Sequence, residues 1–342
     1  MTASVGSTAE LQHPIGSNGR FALRLPSGTV SIVAVDGTVA RVRDMSNRPL
    51  ADRFQITTGS DSLELVVRNR FNITFQIGNI GNGTPSAELV VELPRGTRVA
   101  VDTASADVSA TGLTGPGRYR TASGDLILQD VGGNLEVEAV SADVRIEAIT
   151  PIDIVGRTIS GDAVIRAPRL NRFEMNTTSG DIRVDADLSG KGPYAVKSIS
   201  GDVTLVARGG IEVEATTVTG DLSSALQHRT GSGPGRKLLI VGKPTATLTF
   251  KSVSGDLSIV EPRDAAMPMP PLAPARPHAP AAPASVMPAF ADEGAADDDD
   301  DDEDGEVDGD AEAERLEILR ALERGEIDVE TAMARLATTE GA

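Results

Sequence analysis

The sequence predicts an all-β chain wound as a β-solenoid of about 19-residue coils, followed by a disordered linker and a short C-terminal helical hairpin. Three observations lead there. One tripeptide recurs eight times: Ser105-Ala106-Asp107, Ser123-Gly124-Asp125, Ser141-Ala142-Asp143, Ser160-Gly161-Asp162, Ser179-Gly180-Asp181, Ser200-Gly201-Asp202, Thr219-Gly220-Asp221 and Ser254-Gly255-Asp256. The residues on either side of it fall into apolar columns with the period of a strand. The 342 residues include no Trp, two Tyr and seven Phe, which suits a thin aliphatic core shared by stacked repeats. A unit this short cannot bury a core alone, and stacking supplies one.

The steps between tripeptides are 18, 18, 19, 19, 21, 19 and 35 residues, so the last is expected to hold two coils, one without its signature. Six residues before seven of the signatures stand Val99, Leu135, Ile154, Phe173, Tyr194, Val213 and Leu248; four before six of them stand Val101, Tyr119, Val137, Met175, Val196 and Phe250. Two before it the column turns small, as in Thr103, Thr121, Thr158, Thr177 and Ser198, which marks the approach to a corner. After the signature the apolar positions fall at plus three (Leu126, Val144, Ile182, Val203) and plus five (Leu128, Ile146, Val184, Leu205). An inward set that is even before the tripeptide and odd after it requires a bend at the tripeptide. Small residues at plus seven (Ala148, Ala167, Ala186, Ala207) place a second corner. Each coil is then two short strands and two turns, stacked at ~4.8 Å.

Gly tolerates the backbone of a tight turn, and Ser or Asp can bond amides that the corner leaves unpaired. The alternative chemistry is a calcium ladder of Asp125, Asp143, Asp162, Asp181 and Asp202, recruited to relieve like-charge repulsion between coils. The denser Gly-Gly-x-Gly-x-Asp pattern of calcium-binding nonapeptides is absent, and the turn reading is preferred. The column just before the Ser (Ala104, Ala122, Val140, Ile159, Thr178, Ile199, Val218, Val253) is either turned inward by a bulge or an exposed apolar stripe.

The absence of cysteine excludes disulfide frameworks, thiolate zinc sites and thiol nucleophiles. The formal charge of −18 belongs to one segment: residues 292–314 hold 15 Asp and Glu and no Lys or Arg, and subtracting them leaves 35 acidic against 32 basic residues. A nucleic-acid-binding solenoid shows the reverse balance, so nucleic acid is not an expected partner. With no basic n-region before an apolar stretch and no run of 18 apolar residues, the expected location is cytoplasmic, with the cell surface as the alternative and any membrane contact made through a partner.

The organisation follows from these shifts in composition. Residues 1–17 form a flexible N-terminal tail, and residues 18–262 form the solenoid. Its less regular first part holds alternating runs at Phe21, Leu23, Leu25; Val30, Ile32; Leu63, Leu65, Val67; Phe71, Ile73, Phe75, Ile77; and Leu89, Val91, Leu93, which also cap one open end. Residues 263–310 are a Pro/Ala-rich and then acidic disordered linker. In residues 311–338 the period becomes helical: Leu316, Leu319 and Leu322 share one face up to Gly325, and Val329, Met333 and Leu336 share the face of a second helix starting near Asp328. These six side chains can bury a few hundred Å² against each other, worth roughly 5 to 10 kcal/mol, while ordering ~25 residues costs about 30 or more. The hairpin therefore needs an external surface: a second copy, a protein partner or the solenoid.

No catalytic constellation emerges. His13, His228 and His278 lie in the tail, a loop and the spacer, none at metal-ligand spacing from a second ligand. The stretch Gly231-Ser232-Gly233-Pro234-Gly235-Arg236-Lys237 lacks the order of a phosphate-binding loop and is assigned as a loop insertion. A polysaccharide-active β-helix needs aromatic platforms, and Tyr119 and Tyr194 both occupy inward columns. The chain is thus expected to be non-enzymatic and to need no cofactor.

The lead-in Leu89-Val90-Val91-Glu92-Leu93-Pro94-Arg95-Gly96-Thr97, the pair Val99 and Val101, the opening Leu25 to Ile32 and the Ser-Gly-Asp coils together resemble the DUF4097 family of adhesin-like domains over residues 20 to 262. The resemblance implies a right-handed β-helix without catalytic residues, in proteins tied to bacterial envelopes. Residues Glu317 to Leu336 resemble the helical hairpin of the SHOCT-like class. Some adhesin-like solenoids of bacterial envelope-stress systems, which the chain resembles in parts, carry a hairpin of this type, mostly before the solenoid, whereas here it follows. The resulting expectation is a scaffold or stress-sensing interaction protein, with a surface adhesin as the alternative.

Overall fold

The computed structural model describes residues 9–68, 86–189, 192–233 and 236–262. The spacer, the acidic run, His278, the segment with Phe71, Ile73, Phe75 and Ile77, and the hairpin residues Leu316, Leu319, Leu322, Val329, Met333 and Leu336 lie outside them.

The N-terminal part comprises β1 (Glu10–Pro14), β2 (Arg20–Val35), β3 (Val39–Asp44), the single turn α1 (Leu50–Arg53), β4 (Phe54–Thr58), β5 (Ser62–Val67) and β6 (Ser86–Pro94). Regular coils follow as β7 (Arg98–Thr111), β8 (Gly117–Ser123), β9 (Leu126–Ser141), β10 (Val144–Ser160), β11 (Ala163–Asn176), β12 (Ile182–Leu188), β13 (Tyr194–Lys197) and β14 (Val203–Ala207). The C-terminal part adds β15 (Ile211–Thr217), β16 (Leu222–Ser224), β17 (His228–Gly233), β18 (Arg236–Val241), β19 (Ala246–Ser252) and β20 (Leu257–Val260).

Equivalent residues of successive coils pair in parallel, as the columns require. After the tripeptide the file runs Val108, Leu126, Val144, Ala163, Ile182 and Val203. Before it runs Val101, Tyr119, Val137, Gly156, Met175 and Val196. Gly156 is a gap in this apolar column because the Met175 thioether fills its place, and a Cβ there would collide with the sulfur. The second corner is a bulge: register shifts fall between Glu147 and Ile152 where β10 meets β11. Both apolar columns are buried in one continuous core.

At both ends chain order and spatial order part company. Near the start, β2 is clamped between β7 on one side and β5 and β6 on the other, although β5 and β6 are laid down before β7. Strands β3 and β1 then extend β6 antiparallel, and β4 extends β5 antiparallel. The final coil, β19 and β20, inserts between the coil of β13 and β14 and that of β15 and β16. The 35-residue step therefore holds no coil lacking its signature; it holds the antiparallel hairpin β17–β18, which packs against β15.

The boundary at residue 17 also moves. Glu10 to Pro14 form a strand rather than a tail, because Leu11 and His13 point inward and His13 bonds the Gly59 carbonyl through Nε2 at 2.7 Å. Behind this cap Asp44 is completely buried and paired with Arg53, whose guanidinium also reaches the Ser86 carbonyl.

Candidate functional site: the tripeptide edge

All eight tripeptides stand on one edge, and their main chains interlock. The amides of six of the eight Asp donate to the Oδ1 of the Asp in the neighbouring coil, among them Asp125 to Asp107 at 3.0 Å, Asp162 to Asp143 at 2.9 Å, Asp181 to Asp162 at 2.9 Å and Asp202 to Asp181 at 3.0 Å. The ladder continues in spatial rather than chain order, with Asp256 donating to Asp202 at 2.9 Å and Asp221 to Asp256 at 2.7 Å. Seven of the Asp carbonyls meanwhile accept the plus-three amide of the adjoining coil, as Asp125 accepts from Val108 at 2.9 Å. The bend turns each Asp amide away from the main-chain ladder, and the carboxylate below supplies the missing acceptor.

The small column has a matching task. The Ser198 hydroxyl accepts the Gly201 amide at 2.9 Å, Thr217 that of Gly220 at 2.9 Å and Ser252 that of Gly255 at 2.7 Å. Ser hydroxyls of the tripeptide face one another between coils, Ser105 to Ser123 at 3.0 Å and Ser141 to Ser160 at 3.2 Å. At the middle position only Gly or Ala fits. Gly124 and Gly161 have φ of +99° and +118°, and a Cβ on either would strike the backbone of Ala106 or Ala142 in the adjoining coil.

The column before each Ser resolves as an outward stripe. Most of its members are half-buried; Ile199 is buried and Val218 is 54% exposed. Two members of the edge escaped sequence reading: Ser27-Gly28-Thr29 and Ser86-Ala87-Glu88 occupy the same positions, Ser27 opposite both Ser105 and Ser86. Thr and Glu replace the Asp, so a search for the tripeptide misses them. The flanking columns would have found them, since Phe21, Leu23, Val30 and Ile32 hold the expected apolar places around Ser27.

Electrostatically the edge is a file of carboxylates. The Asp125 carboxyl is pushed above the ordinary Asp range by partial burial and by the charges of Asp143 and Asp107, against the pull of the Asp143 amide and Arg145. Beside it lies a shallow depression of ≈ 440 Å³ bordered by Asp162, Asp181, Asp202 and Asp256, with Thr204 and Ser258 among its lining. Among the described residues no group of three or more His, Asp or Glu is arranged to hold a metal ion. In the ladder each coil brings one carboxylate, one oxygen of which is committed to an amide; calcium prefers six to eight oxygens. The calcium-ladder residues Asp125, Asp143, Asp162, Asp181 and Asp202 are thus brought together, but in the geometry of turn acceptors.

Tyr119 and Tyr194 are buried, the latter donating to the Leu170 carbonyl at 3.1 Å, and burial raises the Tyr119 phenol. Neither offers a platform. Among the described residues no helix is long and apolar enough to cross a membrane.

The profile of the family described as Toastrack DUF4097 matches residues 23–260. No curated protein matches the chain. Solved structures similar to it include a Clostridium sporogenes protein provisionally named a cell adhesion protein, with 10% identity, 74% of this chain and 99% of that one covered, and a TM-score of 0.24. A Bacteroides fragilis protein provisionally named an adhesin has 10% identity, coverage of 74% and 96% and a TM-score of 0.32. A Parabacteroides distasonis protein provisionally named a lipid binding protein has 10% identity, coverage of 75% and 98% and a TM-score of 0.36. The family match spans the whole stack from β2 to β20, and the chain belongs to the Toastrack DUF4097 family.

Proposed function

We propose that this protein is a non-enzymatic scaffold whose stacked coils form a rigid body and whose segment 311–338 is an arm that associates with a second copy or with a partner of the bacterial envelope. In this reading the coils wind right-handed, as parallel crossovers do, and the envelope link is a stress-sensing one. The observation that carries the reading is the tripeptide edge: its repeated polar groups are engaged with the main chain of the neighbouring coil. The repeat thus maintains the body, and recognition falls to what the body carries. The apolar faces of Leu316, Leu319 and Leu322 and of Val329, Met333 and Leu336 supply a surface too small to fold unaided.

Sedimentation of the full chain is compared with a truncation after residue 310 and with a Leu319→Asp, Leu322→Asp double variant, alongside pull-downs with the same three proteins. The expected result is an assembly or a captured partner that only the full chain retains. Three identical monomers with identical capture profiles would refute the arm.

A further inference from the structure

The hairpin at the C-terminal end of the stack carries charge of one sign, although β15, with which it pairs, sets Glu212 and Glu214 opposite Ile240 and Leu238. Between Leu222 and Gly255 stand Arg229, Arg236, Lys237, Lys243 and Lys251, with no Asp or Glu. Three of these are on the β17–β18 hairpin, where Arg229, Arg236 and Lys237 are exposed, and Lys243 follows it, also exposed. Lys237 has Asp221 at 3.5 Å, while Arg229, Arg236 and Lys243 have no carboxylate within ion-pair distance among the described residues. Elsewhere on the body several arginines face carboxylates: Arg24 and Arg118 face Asp102, Arg120 faces Glu138, Arg169 faces Asp187 and Arg208 faces Asp185. The far side of β17 pairs with no strand among the described residues, so the basic hairpin also presents an open strand edge.

The same chain supplies the opposite charge. Residues 292–314 carry 15 acidic and no basic side chains, and 29 residues (263–291) separate them from Pro262, just beyond β20. The coil of β20 adjoins that of β15, and the hairpin packs on β15, so along the stack the two are about two layer spacings apart, ~10 Å. A 29-residue tether reaches about 30 Å as a flexible coil and up to about 90 Å as extended polyproline II, so this Pro/Ala-rich one spans the gap in either regime. That puts the acidic segment at an effective concentration near the millimolar range.

We propose that the acidic segment 292–314 docks on the basic β17–β18 hairpin of its own chain. The contact covers the open edge of β17 and neutralises, within one molecule, a surface that otherwise attracts polyanions.

The chain has no cysteine, so Gln227→Cys and Ala311→Cys provide two unique labelling sites for a donor and an acceptor dye in the full-length protein. The sign of the salt response is diagnostic. A free acidic segment repels itself and extends as salt falls, lowering energy transfer, whereas a docked one approaches the hairpin. Transfer is expected to fall about twofold between 20 mM and 500 mM NaCl, as the screening length shrinks to a few Å. Arg229→Glu, Arg236→Glu and Lys237→Glu together should reverse that trend. A second variant with Asn at all six positions Asp297 to Asp302 leaves the hairpin sequence untouched and should weaken the salt response independently of any folding defect. Transfer that rises with salt in the unaltered sequence, or ignores both sets of substitutions, overturns the proposal. So does transfer between donor-only and acceptor-only molecules matching that within doubly labelled ones, which would assign the contact to a second copy.

Discussion

Replacing Asp125 by Asn is expected to raise the melting temperature of the full chain at pH 7 and low salt. The carboxylate sits between those of Asp107 and Asp143, and partial burial together with these two charges holds its pKa above the ordinary value. Across a layer spacing of ~4.8 Å, two like charges cost about 1 kcal/mol at the dielectric of water, so two neighbours cost about 2 kcal/mol before salt and Arg145 reduce the figure. The amide of Asn keeps an oxygen for the Asp143 N–H but gives up charge assistance, a loss of about 0.5 to 1 kcal/mol. Discounting for solvent exposure, the net gain is about 1 kcal/mol or less, a rise of up to about 2 to 4 °C for a body of this size. Since the folded-state pKa is raised, the folded state holds this proton more tightly. The associated stability is present below the unfolded Asp value near 3.9 and is lost as pH rises through the folded value. The advantage of Asn should therefore be full at pH 7, shrink through the acid window and shrink again in 0.5 M NaCl. Calorimetry of both proteins at pH 3, 5 and 7 measures this. A lower melting temperature for Asp125→Asn at pH 7, or a difference independent of pH, would show that the turn acceptor outweighs the repulsion. Calcium at about 2 mM should move neither protein; a rise of several degrees that Asp125→Asn with Asp143→Asn abolishes would instead install the metal ladder.

Two further outcomes follow from the packing. Gly161→Ala places a Cβ against the backbone of Ala142 at a φ of +118°, and should cost about 3 kcal/mol from strain and overpacking combined, lowering the melting temperature by roughly 6 to 12 °C, while Ala142→Gly costs about 1 kcal/mol; equal and small effects from both would refute the interlocked edge. Arg53→Met strands the buried Asp44 charge and should cost about 3 to 5 kcal/mol in urea unfolding, most of it recovered by adding Asp44→Asn, and no recovery in the double variant would mean that Arg53 acts through packing alone.

What the sequence discloses and what it conceals divide along one physical line. Column positions are fixed by the pleat: an apolar residue every second position, a phase change at the bend and a small residue where two corners touch are each demanded locally, so Val101, Tyr119, Leu126 and Val144 announce their places. Spatial order is not demanded locally. The coil holding β20 and the coil holding β16 present the same plus-three residue, Leu257 and Leu222, to the strand above or below, and Val203 pairs with Leu257 although Leu222 comes first in the chain. The two orders are nearly equivalent in side-chain contacts and differ in their connections. Following β16, the hairpin β17–β18 packs on β15 and leads the chain back into the free layer. Its strands carry few inward apolar residues, Leu239 and Val241 among them, too weak a period to separate a hairpin from a degenerate coil. The interchange at both ends has a common consequence. Strand β2 near the N-terminus and strands β19 and β20 near the C-terminus are flanked on both sides, whereas an in-order stack would leave each of them at an edge. Fraying from the ends of such a body must first strip the antiparallel caps, which is how a repeat with equivalent layers acquires two distinct ends.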